Sequence, residues 1–207
     1  MIKNLLFDLG GVIMDIKRDD CVAAFEAIGM ADADSYLGEY VQAEFFAGVE
    51  NGSLSPDEFR AAVRLVIDRE VTDDQIDHAF GCFLKGIPLH RLEELERLAA
   101  HYYIYLLSNT NPIMWSQGIR RYFAQQGKDI HHYFKGIVTS FEARVMKPDP
   151  AIFRYAERKL GIRPEETLFI DDSQTNLDAA SRLGFHTLLA APGTEFYTEL
   201  RNAGLAE

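Results

Sequence analysis

Residues 4–8 read NLLFD, an apolar run that ends in an acid, and Gly10 and Gly11 follow it. A short continuous apolar segment closed by glycines marks a strand buried on both faces that opens into a loop at its carboxyl end. The shape recurs at 102–107 (YYIYLL) before Ser108 and Asn109, at 136–139 (GIVT) before Ser140, and at 167–170 (TLFI) before Asp171 and Asp172. A further run, 186–190 (HTLLA), closes the series. Helical patterns separate these runs. Leu92, Leu95, Leu98 and Ala99 share one face of 91–100, and Ile152, Phe153, Ala156 and Leu160 share one face of 150–160. Pro150 opens the second of these and Gly161 follows it, the usual asymmetry of helix ends. Strands alternating with helices predict an α/β fold with a doubly wound parallel sheet, whose ligands bind beyond the carboxyl ends of the strands.

Residues 17–88 break the alternation. Phe59, Val63, Val66 and Ile67 recur at helical spacing after the start signal Ser55-Pro56-Asp57-Glu58, and no strand is expected in this stretch. An insertion placed directly after the first strand's loop would stand over that strand's carboxyl end. The reading is therefore a core of 1–16 and 89–207 with an inserted α-helical cap of 17–88, the alternative being a separate helical interaction module.

With 207 residues, 47% of them hydrophobic, the chain can bury one large core plus an insertion. The net charge of -11 argues against nucleic-acid or anionic-membrane surfaces, which need clustered Lys and Arg. It also means that an anionic substrate needs a bound cation to overcome the overall field. Cys21 and Cys82 are too few for a disulfide framework and show no metal-ligand spacing, so both are read as reduced and buried. No apolar stretch approaches the roughly 20 residues that span a membrane, and the cytoplasm is the expected location. The six histidines lack ligand spacing, and Trp115 with Tyr102, Tyr103 and Tyr105 reads as packing.

Four polar clusters fall at strand ends: Asp8, Ser108, Lys147 and the pair Asp171-Asp172. Hydrolysis of a phosphate ester through a covalent intermediate needs a nucleophile, a cation to neutralise charge, and donors for the oxygens in transfer. Asp8 can attack phosphorus, Mg²⁺ can bridge Asp8, Asp172 and the phosphate, and Ser108 with Lys147 can hold the remaining oxygens. Asn109 has two open readings, as a substrate donor or as the cap of the following helix. Asp15 reads as a residue that fixes the first loop, and Asn176 as one that bonds within the last. Phe45, Phe46, Phe59 and Phe80 lie in the insertion, where one or two are expected to face the substrate.

The ordered segments FDLGGVIMD (7–15), LLSNT (106–110), KPDPAIF (147–153) and FIDDSQTNLDAA (169–180) resemble the four motifs of the haloacid dehalogenase superfamily. The resemblance spans nearly the whole chain, and the insertion is similar to the helical cap of the superfamily's phosphatases, some of which carry DLG in the first motif and act on sugar phosphates. It implies a Rossmann-like core and an Mg²⁺-dependent phosphatase of small phosphorylated metabolites. Asp8 would be the nucleophile, and Ser108, Asn109 and Lys147 would bind substrate. Asp8, the Gly10 carbonyl and Asp172 would ligate the metal, with Asp171 supporting its shell.

One position departs from the pattern. Most such phosphatases carry a second aspartate two residues after the nucleophile as general acid and base, and here that residue is Gly10. Loss of that group, worth ~10²- to 10⁴-fold, favours good leaving groups such as a sugar 1-phosphate or an acyl phosphate, or a proton from elsewhere. Two alternatives follow from the same residue: a metal-independent dehalogenase, against which the adjacent acids Asp171 and Asp172 argue, and a non-catalytic binding or regulatory protein.

Overall fold

The computed structural model describes residues 1–38 and 44–206. Its strands are β1 (Asn4–Phe7), β2 (Asp15–Ile16), β3 (Leu84–Gly86), β4 (Tyr103–Ser108), β5 (Gly136–Thr139), β6 (Thr167–Asp171) and β7 (His186–Leu189). Five of them form one sheet in the order β5-β4-β1-β6-β7, with every pair parallel. The chain runs outward from β1 through β4 to β5, then crosses to β6 on the other flank. The crevice at β1 is thus the topological switch point at which such sheets bind ligands.

The register explains the chemistry to come. Phe7 pairs with Ile170 across β1 and β6, and Phe7 pairs with Leu106 across β1 and β4. Asp8 therefore lies beside Asp171, and Ser108 ends the strand on its other side. Successive β1 residues point to opposite faces. Leu5 and Phe7 join one buried cluster, which continues into the insertion, while Leu6 joins a second under the helix Pro150–Leu160.

The insertion contains helices α1 (Arg18–Ala27), α2 (Ala33–Tyr36), α3 (Glu44–Glu50), α4 (Pro56–Arg64) and α5 (Asp73–Gly81). Capping boxes start α4, from Ser55 and Glu58, and α5, from Thr72 and Gln75. Phe25, Phe46, Phe59 and Phe80 form its centre, with ring centroids of 5.4 Å for Phe25–Phe46, 5.3 Å for Phe46–Phe80 and 5.1 Å for Phe59–Phe80. Phe46, Phe59 and Phe80 are thus structural, and of the four phenylalanines named above only Phe45 keeps partial exposure.

The expectation of an all-helical insertion is wrong at one place, because Leu84–Gly86 forms β3 and pairs antiparallel with β2, Asp15 opposite Gly86. The chain returns to the core alongside its own exit, and three residues are too few to show a strand's alternation. The helix α6 (Leu89–Ala99) follows at once. Cys21 is buried as expected, whereas Cys82 is only half-buried and both thiols are free. No helix among the described residues is long and apolar enough to cross a membrane.

Candidate active site

Asp8 stands one residue beyond β1, its N–H donating to Ile170 O at 2.8 Å so that the ladder continues one residue further. The chain then turns back on itself. Ile13 and Met14 N–H groups both reach Leu9 O, at 2.9 and 2.8 Å, and Gly11 N–H reaches Met14 O at 2.9 Å. Gly11 has φ +77°, and a Cβ there would lie 2.1 Å from Asp172 Oδ2, so both its backbone and its missing side chain are needed where the two loops meet.

Lys147 sits at the centre. Its buried ammonium lies 2.7 Å from Asp8 Oδ1 and 2.7 Å from Asp171 Oδ2. Asn109 fixes this lysine by its backbone: Oδ1 accepts from Lys147 N–H at 2.9 Å, and Nδ2 donates to Lys147 O at 3.0 Å. That two-point clamp replaces the cap reading, because the following helix is capped by Asn111, whose Oδ1 accepts from Met114 N–H at 2.9 Å. Asp171 is fully buried, accepting from Ser173 N–H at 2.8 Å and from Asn176 Nδ2 at 3.0 and 3.2 Å, as the reading of Asn176 anticipates. Ser108 is buried with only a long 3.3 Å donation to Asn109 O, which leaves its hydroxyl weakly committed.

The structure thus brings Asp8, Lys147, Asp171 and Asp172 together, with Ser108 and Asn109 on the neighbouring strand end. Burial pushes the Asp8 carboxyl up to about 7, with Lys147 opposing the shift and Asp171 adding to it. Burial and Asp171 likewise raise Asp172. Burial works against the Lys147 charge, yet Asp171 and Asp8 hold its pKa above the ordinary lysine value. Three carboxylates share one ammonium, so the ionised centre lacks positive charge. Asp8, Asp171 and Asp172 each offer an oxygen, all within 4.8 Å of one another. Opposite ligands of an octahedral Mg²⁺ stand roughly 4 Å apart, and oxygen-only donors with a local excess of negative charge fit such an ion.

Sequence reading missed several supporting residues. Ser140 Oγ accepts from Thr110 N–H at 3.0 Å and lies 2.7 Å from Glu50 O, so it ties the β4 loop to the insertion. Its only signal was its place after a strand. Arg91, buried in α6, binds Asp15 from 76 positions away, which no local pattern could reveal.

Fold and centre together define a doubly wound α/β protein with a strand-end aspartate beside a lysine and two further acids at the switch point of its sheet. A model of the haloacid dehalogenase-like hydrolases matches residues 2–184, and the chain belongs to that family. It is 38% identical over 200 residues to the D-ribitol-5-phosphate phosphatase of Bacteroides thetaiotaomicron, covering 97% of each chain. A haloacid dehalogenase family enzyme from the same organism, solved in complex with magnesium and inorganic phosphate, superposes with TM-score 0.90 at 36% identity, over 96% of this chain and 98% of that one. The (S)-2-haloacid dehalogenase 4A of Burkholderia cepacia is more distant, 24% identical over 90% of this chain and 82% of its own.

Proposed function

We propose that this protein is a Mg²⁺-dependent phosphatase of small sugar or polyol phosphates that works through a phospho-aspartyl intermediate on Asp8. The observation that carries the reading is the clustering of the Asp8, Asp171 and Asp172 carboxylates at the switch point of the sheet, with the Lys147 ammonium paired to Asp8 and Asp171. Such a centre suits an ion and a phosphate together. It does not suit a carboxylate substrate without a cation. The 38% identity to a D-ribitol-5-phosphate phosphatase supports the substrate class.

In this mechanism an Asp8 oxygen attacks phosphorus as the bond from phosphorus to the ester oxygen breaks, and the departing oxygen takes a proton. Water then attacks the phosphorus of the aspartyl phosphate, releasing inorganic phosphate and restoring Asp8. Lys147 gives two of its three N–H groups to Asp8 and Asp171, so the third is left for a phosphate oxygen. The Ser108 hydroxyl, weakly engaged, turns to another. Asn109 acts chiefly by holding Lys147, and its remaining amide N–H can reach the substrate. Mg²⁺, held by Asp8, the Gly10 carbonyl and Asp172 with Asp171 supporting, supplies neutralisation of phosphate charge when bound.

Residues 17–88 act as the cap. The insertion meets the loops beyond β4 and β5, through Glu50 O at Ser140 and through Gly52 packed on the Phe141 backbone. On this reading the insertion covers the substrate's site, and the partial exposure of Phe45 makes it the aromatic of the four free to take a further contact. Two free thiols suit a cytoplasmic setting.

Gly10 bears on the substrate. Ribitol 5-phosphate leaves as a primary alkoxide, which needs a proton, so turnover of that ester requires a donor other than residue 10. The deciding experiment measures phosphate release from pentitol phosphates, sugar 1-phosphates and acetyl phosphate, with Mg²⁺ and with chelator. Phosphate release that chelation abolishes supports the reading. A folded native protein inert on the whole panel, or one that releases halide from 2-haloacids without Mg²⁺, overturns it.

A further inference from the structure

We propose that Arg91 is a positioning residue for the loop 9–15, holding it in the shape that sets Gly11 against Asp172 beside the nucleophile. Arg91 lies in α6, immediately after the return strand β3, and is 9% exposed. Every face of its guanidinium is used. Nη1 donates to Ile13 O at 3.1 Å and to Asp15 Oδ1 at 2.7 Å, while Nε and Nη2 grip the Glu195 carboxylate at 2.7 and 3.0 Å.

The loop has two ends. One is tied to the sheet by Asp8, whose N–H bonds Ile170 O. Between them the loop's backbone bonds are its own, among Leu9, Gly11, Ile13 and Met14, while the side chains of Leu9, Val12, Ile13 and Met14 pack into the core. At the far end Asp15 pairs with Gly86 of β3, and Arg91 adds a side-chain tie there, gripping a backbone carbonyl and a side chain at once. Its own place is set by Glu195, which precedes the C-terminal helix Phe196–Asn202. That helix packs Phe196 on Phe7, the residue before the nucleophile, at 5.2 Å. A closed frame results: Phe7, Asp8, the loop, Arg91, Glu195, Phe196 and back to Phe7.

Burying such a network is a poor way to gain stability, since a well-packed apolar side chain of similar volume often does as well or better. What an arginine adds is direction, because its planar fork fixes several acceptors at once. Gly11 and Asp172 approach closely, since a Cβ at Gly11 would lie 2.1 Å from Asp172 Oδ2.

The kinetic part of this inference rests on the phosphatase reading; the rest does not. Arg91→Met keeps length and removes every donor. In a folded variant we expect kcat to fall by about 10²-fold with a much smaller change in KM. Mg²⁺ affinity should fall by about 10- to 100-fold, as when the support of a metal ligand is lost. Hydrogen exchange in residues 9–16 should quicken, while exchange in β4 and β5 stays unchanged. Arg91→Lys should recover part of each effect, because one ammonium can serve one acceptor but not all. Glu195→Gln, which leaves Arg91 on the loop but weakens its anchor, should quicken the same exchange to a smaller degree and covers the case in which Arg91→Met does not fold. Native Mg²⁺ affinity and native exchange in 9–16, in Arg91→Met or, should it not fold, in both milder variants, overturn the proposal. If the native protein hydrolyses no phosphate ester, the function above fails, and Mg²⁺ affinity with exchange still judges Arg91.

Discussion

On the proposed reading, a proton and Mg²⁺ compete for the oxygens of Asp8. Burial pushes this carboxyl up to about 7, Lys147 opposing and Asp171 reinforcing, so the protonated form gains as pH falls through that value. Mg²⁺ affinity measured by calorimetry should therefore weaken from pH 8 to pH 6, and equal affinities would show that Asp8 is not a ligand. Asp8→Asn should abolish turnover while the protein still folds, and Lys147→Ala should impair it severely, both read by phosphate release from purified protein. The two adjacent glycines separate cleanly. Only Gly11 has a positive φ, and a Cβ on Gly10 would meet nothing closer than the flexible end of Ile16, at 3.3 Å. Gly10→Asp therefore fits with a small shift of Ile16. If no other group replaces the carboxyl absent at residue 10, the native enzyme shows a steep dependence of rate on leaving-group basicity and Gly10→Asp flattens it. A shallow slope in the native enzyme assigns the proton to another group or a water. Of this site, Asp8, Ser108, Asp171 and Asp172 were legible because each ends or follows a recognisable apolar run; Lys147 was expected at a strand end too, but it lies past the helical turn Ser140–Ala143 that follows β5 and was legible only through the segment KPDPAIF. Arg91 and the clamp role of Asn109 were not, since each acts on a chain segment distant in sequence.

Elements long enough to repeat a period were readable, and shorter ones were not. The helix Pro150–Leu160 matches its expected bounds because Pro150, Gly161 and four apolar positions agree on one answer. By contrast β2 and β3 have two and three residues, and the π-helical turn Trp115–Ile119 widens a helix without any local marker in its side chains. The capping signal at Ser55 placed one insertion helix, the like box at Thr72 went unread, and the phenylalanines gave no hint of which faced inward until their partners were known. Phe59 is fully buried among Phe46 and Phe80. Phe59→Ala should cost about 3–5 kcal/mol, seen as a lowered urea midpoint. A loss under 1 kcal/mol would mean that the aromatic centre repacks freely.

Across the whole molecule, the alternation of strands and helices announced a parallel sheet, but the order β5-β4-β1-β6-β7 arises from which hydrophobic faces meet and has no local signature. The cation requirement belongs to this scale, because the chain carries a net charge of -11 and still has to hold a phosphate. Mg²⁺ that binds only the folded form should stabilise it by about 2.7 kcal/mol at 100-fold excess over its Kd. For a chain of this size that raises Tm by roughly 5–10 °C. Thermal scans with Mg²⁺, with chelator and with Asp172→Asn check this, and an equal rise in the variant would place the ion elsewhere.

The pairing of Asp15 with Gly86 sets the two crossings of the insertion side by side. Everything between them is a detour that leaves the order of the five-stranded sheet untouched. Such a detour can be lengthened, trimmed or exchanged over generations without rethreading the sheet. On the proposed reading, new substrates thus become reachable through replacement of a cassette, while Asp8 stays where β1 puts it.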